Sequence, residues 1–344
     1  EVNDMKLKLL ILLILLNILI PIKVSAQVIS DAQFENISID EGLSNEDVTS
    51  IFQDSMGYMW IGTKDGLNRY DAERVKIYNC NPESDNTLSS TYITDIEEDD
   101  YGNLWIGTDH GLDILIRDTD TIVRMKDIYD KYNLGNLKIT DLLKSTYEDN
   151  IMWVGTEDGL MKINIENKSI EAFYNDEGGE NSLTNSSVTS LAEGKYNTLW
   201  IGTKDGINII NKNHEIFHKR NQLEEEKLYI YHISQDSSGN MWISTKDNII
   251  VYDLNEDKED GVWALYQDRI KEYDFESKTL NEIYTYTTKK EDAYNNSFIL
   301  HDNNNNTWIS SSNGIVRYSM DKQEIDIIKK NINYSSSLTS NVIT

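Results

Sequence analysis

One hydrophobic pattern recurs along this chain. A tryptophan and an aliphatic residue stand side by side, a glycine-threonine pair follows, and a short polar turn ends in glycine before the next aliphatic residue. The clear copies are Trp60-Ile-Gly-Thr-Lys-Asp-Gly66-Leu, Trp105-Ile-Gly-Thr-Asp-His-Gly111-Leu, Trp153-Val-Gly-Thr-Glu-Asp-Gly159-Leu and Trp200-Ile-Gly-Thr-Lys-Asp-Gly206-Ile. Two weaker copies are Trp242-Ile-Ser-Thr-Lys-Asp-Asn248-Ile and Trp308-Ile-Ser-Ser-Ser-Asn-Gly314-Ile. Neighbouring side chains of a strand point to opposite faces, so Trp60 and Ile61 cannot share one, yet both positions are apolar in every copy. Both sheet faces must therefore be covered. A sheet stacked between two others meets that demand, whereas a sheet with one wet face would place a polar residue at one of the two positions.

Each copy reads as four short strands. In the first these are Val48-Thr-Ser-Ile-Phe52, Met59-Trp-Ile-Gly-Thr63, Leu67-Asn-Arg-Tyr70 and Val75-Lys-Ile-Tyr78, with turns between. The steps between tryptophans are 45, 48, 47, 42 and 66 residues, close to the ~40–50 that a four-stranded propeller blade occupies. The expected fold is all-β, a β-propeller of four-stranded blades, seven-bladed with the last blade incomplete in this chain. A second signature, Leu-x4-(Val/Ile)-Thr, marks the start of first strands at Leu43/Val48-Thr49, Leu88/Ile93-Thr94, Leu134/Ile139-Thr140, Leu183/Val188-Thr189 and Leu338/Ile343-Thr344. The last of these opens a seventh copy. At the other end, Phe34-Glu-Asn-Ile-Ser-Ile39 precedes Leu43 as Val75–Tyr78 precedes Leu88. It is expected to be a final strand, of the kind with which propellers close a sheet edge.

The repeated turn aspartates Asp65, Asp158, Asp205 and Asp247 invite a catalytic or metal-binding reading. Hairpin chemistry accounts for them better. A tight turn needs positive φ, which glycine adopts freely, and aspartate before it is an ordinary turn residue.

Residues 1–26 read as a secretory signal peptide: Met5-Lys6-Leu7-Lys8 opens an apolar run from Leu9 to Ile22, and Val24-Ser25-Ala26 closes it in a small-x-Ala pattern. An uncleaved anchor is the alternative, although the run is short of the ~20 residues a membrane-spanning helix needs. The domain reading is thus 1–26 leader and 27–344 propeller. With 59 Asp and Glu against 32 Lys and Arg, the formal charge is −27. No basic cluster exists to neutralise a phosphate backbone or an anionic bilayer, so nucleic acid is excluded as a partner and the membrane is reached only through a segment outside this chain. The lone Cys80 permits neither an intramolecular disulfide nor a Cys-rich zinc site.

Other chemistry finds little support. The turn Asp54-Ser-Met-Gly57-Tyr-Met-Trp60, echoed at Asp236-Ser-Ser-Gly239-Asn-Met-Trp242, is like the Asp-box hairpin of sialidases. A sialidase needs an arginine cluster and a Tyr/Glu pair, and the seven arginines (69, 74, 117, 124, 220, 269 and 317) do not recur at equivalent positions. The histidines 110, 214, 218, 232 and 301 have no metal-ligand rhythm, and Asp302-Asn-Asn-Asn-Asn306 lacks the alternation of a calcium loop. No cofactor, metal or catalytic residue is expected.

Packing residues repeat because their job repeats, so a ligand site is expected where equivalent positions vary. The residues just before each first strand do: Asp47, Tyr92, Lys138, Ser187, Tyr229 and Asn295. They sit on the face where the channel-lining strands begin, as candidate ligand contacts or as plain solvent-exposed loop residues. The 66-residue step carries excess that is placed at residues 255–267, where Trp263 and Tyr266 are unexplained by the repeat. It is expected on the opposite face, touching another domain or subunit, or else forming an elaborated hairpin on its own blade.

Taken together, the units Leu-x4-Val-Thr-x-Ile, Asp-x-x-Gly-x-x-Trp-Ile-Gly-Thr and Asp-Gly-Leu-x-x-Tyr-Asp resemble the two-component-regulator propeller repeats over roughly residues 34–344. That resemblance implies an extracytoplasmic sensor on the extracellular or periplasmic face of the cytoplasmic membrane. It implies a small-molecule or carbohydrate ligand, a homodimer through the complete protein, and an output outside this chain, a histidine kinase or alternatively a diguanylate cyclase. It implies no enzyme activity within this chain. The rival from another class is a secreted propeller enzyme, such as a glycosidase or lyase, or a scaffold.

Overall fold

The structure is a computed structural model that describes residues 37–328 apart from 82, 85, 126–133, 177, 178, 180, 220–227, 246–248, 253–261, 266–268, 275–278, 286–298, 302–305, 312, 313 and 320–323. The leader, Phe34 to Asn36, the turn residues Asp247 and Asn248, Tyr266, Asn295, the 302–305 turn and the seventh signature at 338–344 therefore lie outside the described residues. Within them the chain forms six antiparallel sheets, each with its strands hydrogen-bonded in sequence order. Blade 1 comprises Val48–Gln53, Met59–Thr63, Gly66–Tyr70 and Val75–Tyr78; blade 2 comprises Ile93–Glu98, Leu104–Thr108, Gly111–Ile116 and Thr121–Arg124. Blade 3 is Ile139–Lys144, Ile151–Thr156, Gly159–Asn164 and Ile170–Phe173, and blade 4 is Val188–Gly194, Thr198–Thr203, Gly206–Ile210 and Ile216–Lys219. Blade 6 is Ile299–His301, Asn306–Ser311, Gly314–Ser319 and Glu324–Ile328.

Successive blades bury their facing sides against one another. Trp60, Leu67 and Tyr78 of blade 1 pack onto Ile93, Ile96, Leu104 and Ile106 of blade 2. The same meeting recurs between Trp105 and Leu112 and the set Ile139, Leu142, Met152 and Val154, and between Trp153, Leu160 and Phe173 and the set Val188, Leu191, Leu199 and Ile201. The tryptophan faces the next blade and the aliphatic neighbour faces the previous one. The glycine after them is where the next blade seats: a Cβ on Gly62 would stand 2.7 Å from Ile93 Cγ2, on Gly107 2.8 Å from Ile139 Cγ2, and on Gly202 2.6 Å from Ile230 Cγ2. No real Cβ tolerates such distances, so glycine there sets how closely the blades approach. The turn glycines have their own reason, since Gly66, Gly111, Gly159 and Gly206 hold φ between 110° and 124°.

Blade 5 departs from the pattern. Its sheet has six strands, Ile230–Gln235, Met241–Thr245, Ile249–Tyr252, Val262–Leu265, Arg269–Asp274 and Thr279–Thr285. This corrects the placement of the excess at 255–267. Trp263 lies on the regular fourth strand, in register with Val251, and the additional length is spent on a hairpin that extends the outer edge of the same sheet. A sheet edge offers unpaired N–H and C=O groups, and adding strands to it satisfies them locally without a second domain. Of the segment at 34–39 only Ile37 to Ile39 are described, and a turn begins there: Leu43 N–H donates to Ser38 O at 3.1 Å, Gly42 N–H to Ile39 O at 3.0 Å, and Ser38 Oγ to the Glu41 carboxylate at 2.6 Å.

The stack is open at blade 1. Ile51 is 64% exposed, whereas its equivalents Ile96, Leu142, Leu191 and Ile233 are 3%, 4%, 5% and 1% exposed. Ile77 on the same face is also exposed. Blade 1 thus presents the face that a preceding blade would cover. The chain of 344 residues should accordingly respond unequally to two equivalent truncations. By urea denaturation, Ile96→Ala is expected to lose about 2–5 kcal/mol and Ile51→Ala less than about 1 kcal/mol. Equal losses would mean that blade 1 is covered.

Candidate functional site

The first strands of successive blades run side by side around a central axis. At their starting end lies a cavity of about 500 Å³, within the range of small-molecule sites. Four of the six residues singled out from the sequence line it: Asp47, Tyr92, Lys138 and Tyr229. Ser187 occupies the equivalent place in blade 4, where its carbonyl accepts the Lys204 N–H at 3.2 Å, but it is not part of the cavity wall. The sequence reading missed Tyr231 and Lys64, which complete the wall.

The floor comes from a repeated bulge. In each of the first five blades the first strand carries one residue more than its partner, between Val48 and Ser50, Ile93 and Asp95, Ile139 and Asp141, Val188 and Ser190, and Ile230 and His232. The extra residue is Thr49, Thr94, Thr140, Thr189 and Tyr231, and all five line the cavity. The four threonine Oγ1 atoms are buried without hydrogen-bond partners. They turn back toward the blade: a Cβ on Gly107 would lie 2.9 Å from Thr94 Oγ1, and on Gly202 3.2 Å from Thr189 Oγ1. Their methyl groups are consequently what the cavity meets. The wall is aromatic, with the Tyr229 and Tyr231 rings 4.8 Å apart and both partly exposed. Partial burial, reinforced by Tyr231, raises the Tyr229 hydroxyl pKa, so it stays protonated as a donor. At the rim Lys64 Nζ donates to Asp47 Oδ2 at 2.9 Å. That hydrogen bond and the Asp47 charge raise the lysine pKa.

Just beyond the threonines a second ring ties the blades together. Asp95 Oδ2 accepts Leu142 N–H at 2.8 Å, Asp141 Oδ2 accepts Leu191 N–H at 2.6 Å, and Ser190 Oγ accepts Ile233 N–H at 2.9 Å. Ser50 Oγ donates to Asp95 Oδ1 at 3.3 Å. Asp95, Asp141 and Ser190 thus reach the main chain of the next blade, and Ser50 reaches the side chain of Asp95. These side chains face a narrow axis enclosed by protein, and burial raises both Asp95 and Asp141 above the usual carboxylate range. The Asp95 charge beside Asp141 adds to the effect of burial there. Burial also pushes Glu97 up to about 7, with the Asp95 charge adding to it, and pushes His232 down to about 4.

At the opposite end of the blades the Asp-box-like turns prove structural. Asp54 Oδ2 accepts Trp60 Nε1–H at 2.7 Å and Arg117 Nη1–H at 2.6 Å, and its Oδ1 accepts the Met56 and Tyr58 N–H groups at 3.0 and 2.9 Å. Asp99 and Asp236 hold Trp105 and Trp242 in the same way, at 3.1 and 2.9 Å. These carboxylates are spent on closing a turn onto a tryptophan, which leaves them no catalytic geometry. No group of three potential metal ligands occurs among the described residues, and no described helix is long and apolar enough to cross a membrane.

Comparison with known proteins places these repeats. Residues 42–65, 87–110, 182–205 and 226–247 match the family "Two component regulator propeller". A 54-residue stretch, 16% of the chain, is 44% identical to a histidine kinase P4 of Formosa agariphila and covers 4% of that protein. Among solved structures, the extracellular domain of a hybrid two component system from B. thetaiotaomicron is similar over 90% of this chain, with TM-score 0.68 and 20% identity. The extracellular domain of a one component system from B. thetaiotaomicron is similar over the same share, with TM-score 0.66 and 19% identity. The chain spans 38% and 36% of those two structures, well under half of each. The fold is a β-propeller, and four of its repeats match the two-component-regulator model.

The axial carboxylates carry a pH dependence with a definite sign. The fold favours the protonated form of Glu97, so its stabilising contribution is complete below the unfolded value of 4.5 and is lost as pH rises toward about 7. Glu97→Gln is expected to be more stable than the parent chain by about 1–3 kcal/mol at pH 8, with little difference at pH 4. Urea titrations at the two pH values measure this. A difference that is equal at both would assign the effect to packing instead of ionisation.

Proposed function

We propose that this propeller is the extracytoplasmic ligand-sensing domain of a transmembrane signal-transduction protein, that its ligand is an oligosaccharide, and that the ligand binds at the channel mouth. The carrying observation is the cavity itself: methyl floor, tyrosine wall and polar rim, lined by residues that differ from blade to blade within a scaffold that otherwise repeats. A sugar ring has apolar C–H faces and a polar hydroxyl edge. Tyr92, Tyr229 and Tyr231 supply faces for the former, and Asp47, Lys64 and Lys138 supply donors and acceptors for the latter. The family match of the repeats and the extracellular domains of similar fold support the sensing role. The output, a histidine kinase in this reading, belongs to the part of the protein beyond this chain.

In such a protein the ligand drives signalling only through its differential affinity for two arrangements of the sensor, which in a membrane protein are two arrangements of a dimer. The channel mouth suits that task because loops of blades 1, 2, 3 and 5 meet there, so one ligand touches several blades at once. Titration calorimetry against a panel of oligosaccharides tests the site. Tyr92→Ala and Tyr229→Ala are each expected to weaken binding tenfold or more while the denaturation midpoint stays near that of the parent, because both side chains sit at the wall of an open cavity. Unchanged binding in both variants would move the ligand elsewhere.

A further inference from the structure

The ring of residues around the mouth pairs each position before a first strand with the position after a second strand through a main-chain bond. Lys64 N–H donates to Asp47 O at 3.1 Å, and Glu157 N–H donates to Lys138 O at 3.1 Å. Blades 1 and 3 therefore hold the same two places with the charges exchanged. In blade 1 the side chains close into a salt bridge of 2.9 Å. In blade 3 no hydrogen bond or ion pair joins Lys138 to Glu157, and Lys138 lines the cavity while Glu157 does not. Other lysines of the described residues do pair with acids, Lys162 with Glu148 at 2.7 Å and Lys144 with Asp100 at 3.4 Å. In a chain with 59 acidic and 32 basic residues, an ammonium group left without an acidic partner at the wall of a concave site is a local reversal of charge. The charged residues of the cavity wall are one aspartate and two lysines.

We propose that the oligosaccharide taken here is anionic, carrying a carboxylate or a sulfate, and that Lys138 selects it. This rests on the reading of the channel mouth as the ligand site. With the threonine hydroxyls turned away, the floor offers the ligand no hydrogen bond, so an apolar sugar face lies against the methyls and tyrosines while its charged group reaches the rim. Lys64 is already committed to Asp47, which leaves the Lys138 ammonium to meet the anion. A charge held in a concavity with low-dielectric walls acts more strongly than one on an open surface.

Titration calorimetry on the full chain tests this with sets of oligosaccharides that share one backbone in neutral, uronate and sulfated forms. A charged form is expected to bind at least tenfold more tightly than its neutral counterpart, and the uronate and sulfate arms tell the two anions apart. Lys138→Gln should weaken charged binding tenfold or more and neutral binding by clearly less, so that the preference disappears, and Lys138→Arg should keep it. Neutral binding as tight as charged binding, still dependent on Tyr92, would overturn the charge selection while the site stands. A preference that survives Lys138→Gln would do the same. No binding by any set, or binding indifferent to Tyr92 and Tyr229, would overturn site and selection together.

Discussion

The seating of one blade on the next through a missing side chain governs the rest of this structure. A four-stranded sheet with tryptophan on one face and isoleucine on the other cannot exist in water by itself, because both faces expose large apolar area worth roughly 1.5–3 kcal/mol per side chain. It must stack. The distance at which it stacks is set where Ile93 meets Gly62, Ile139 meets Gly107 and Ile230 meets Gly202, contacts in which a single methyl group would be an intrusion. Since these glycines lie on second strands and the incoming residues open first strands, the close approach is made near the axis. The wider outer strands are left with room for four strands, or for six in blade 5.

That close approach also explains why the axis is polar. A residue following the seated isoleucine cannot continue the regular ladder, so the first strand bulges, and the bulge delivers two side chains to the axis in place of one. The first, threonine in blades 1 to 4, folds its hydroxyl against its own blade's glycine in blades 2 to 4. The second reaches a main-chain N–H of the next blade in blades 2 to 4 and the Asp95 carboxylate in blade 1. Asp95 and Asp141 do this with carboxylates whose ionisation burial makes costly. Serine does the same at position 190 without charge. The interior polar ring is thereby a consequence of packing, and its protonation state is tied to blade-to-blade contact.

Much of this was legible in the chain. Trp-Ile adjacency required two covered faces, and the four strands of blade 1 follow the expected segments within a residue or so. Four of the six candidate ligand contacts share one cavity because repetition made variable positions visible against a constant scaffold. Other features were not legible. The threonine of the Leu-x4-(Val/Ile)-Thr signature was plain, but its role depends on a bulge, and pattern alone does not separate a bulged strand from a regular one. The small polar residue after it, Ser50, Asp95, Asp141 or Ser190, was the available signal for the axial ring. The placement of the excess in blade 5 went astray for a related reason. Trp263 stood out as an aromatic outside the repeat, yet it belongs to an ordinary fourth strand, and the added hairpin at Arg269–Asp274 and Thr279–Thr285 carries no residue that marks it as extra.

A propeller of this kind separates constancy from specificity by geometry. The tryptophans of blades 1 to 4 and the glycines after them are fixed by contacts that recur from blade to blade, so none of them is free to vary with a ligand. The residues at the channel mouth make no such contact: the side chains of Lys138 and Tyr92 face the cavity, and only their main chains are held, by Glu157 and Asp109. Exchange of side chains there leaves the stacking untouched. The same arrangement lets a ligand act on the whole ring, because the strands that begin at the mouth are those whose bulges clasp the neighbouring blades. A group bound across blades 1, 2, 3 and 5 bears on the one set of contacts that every blade shares.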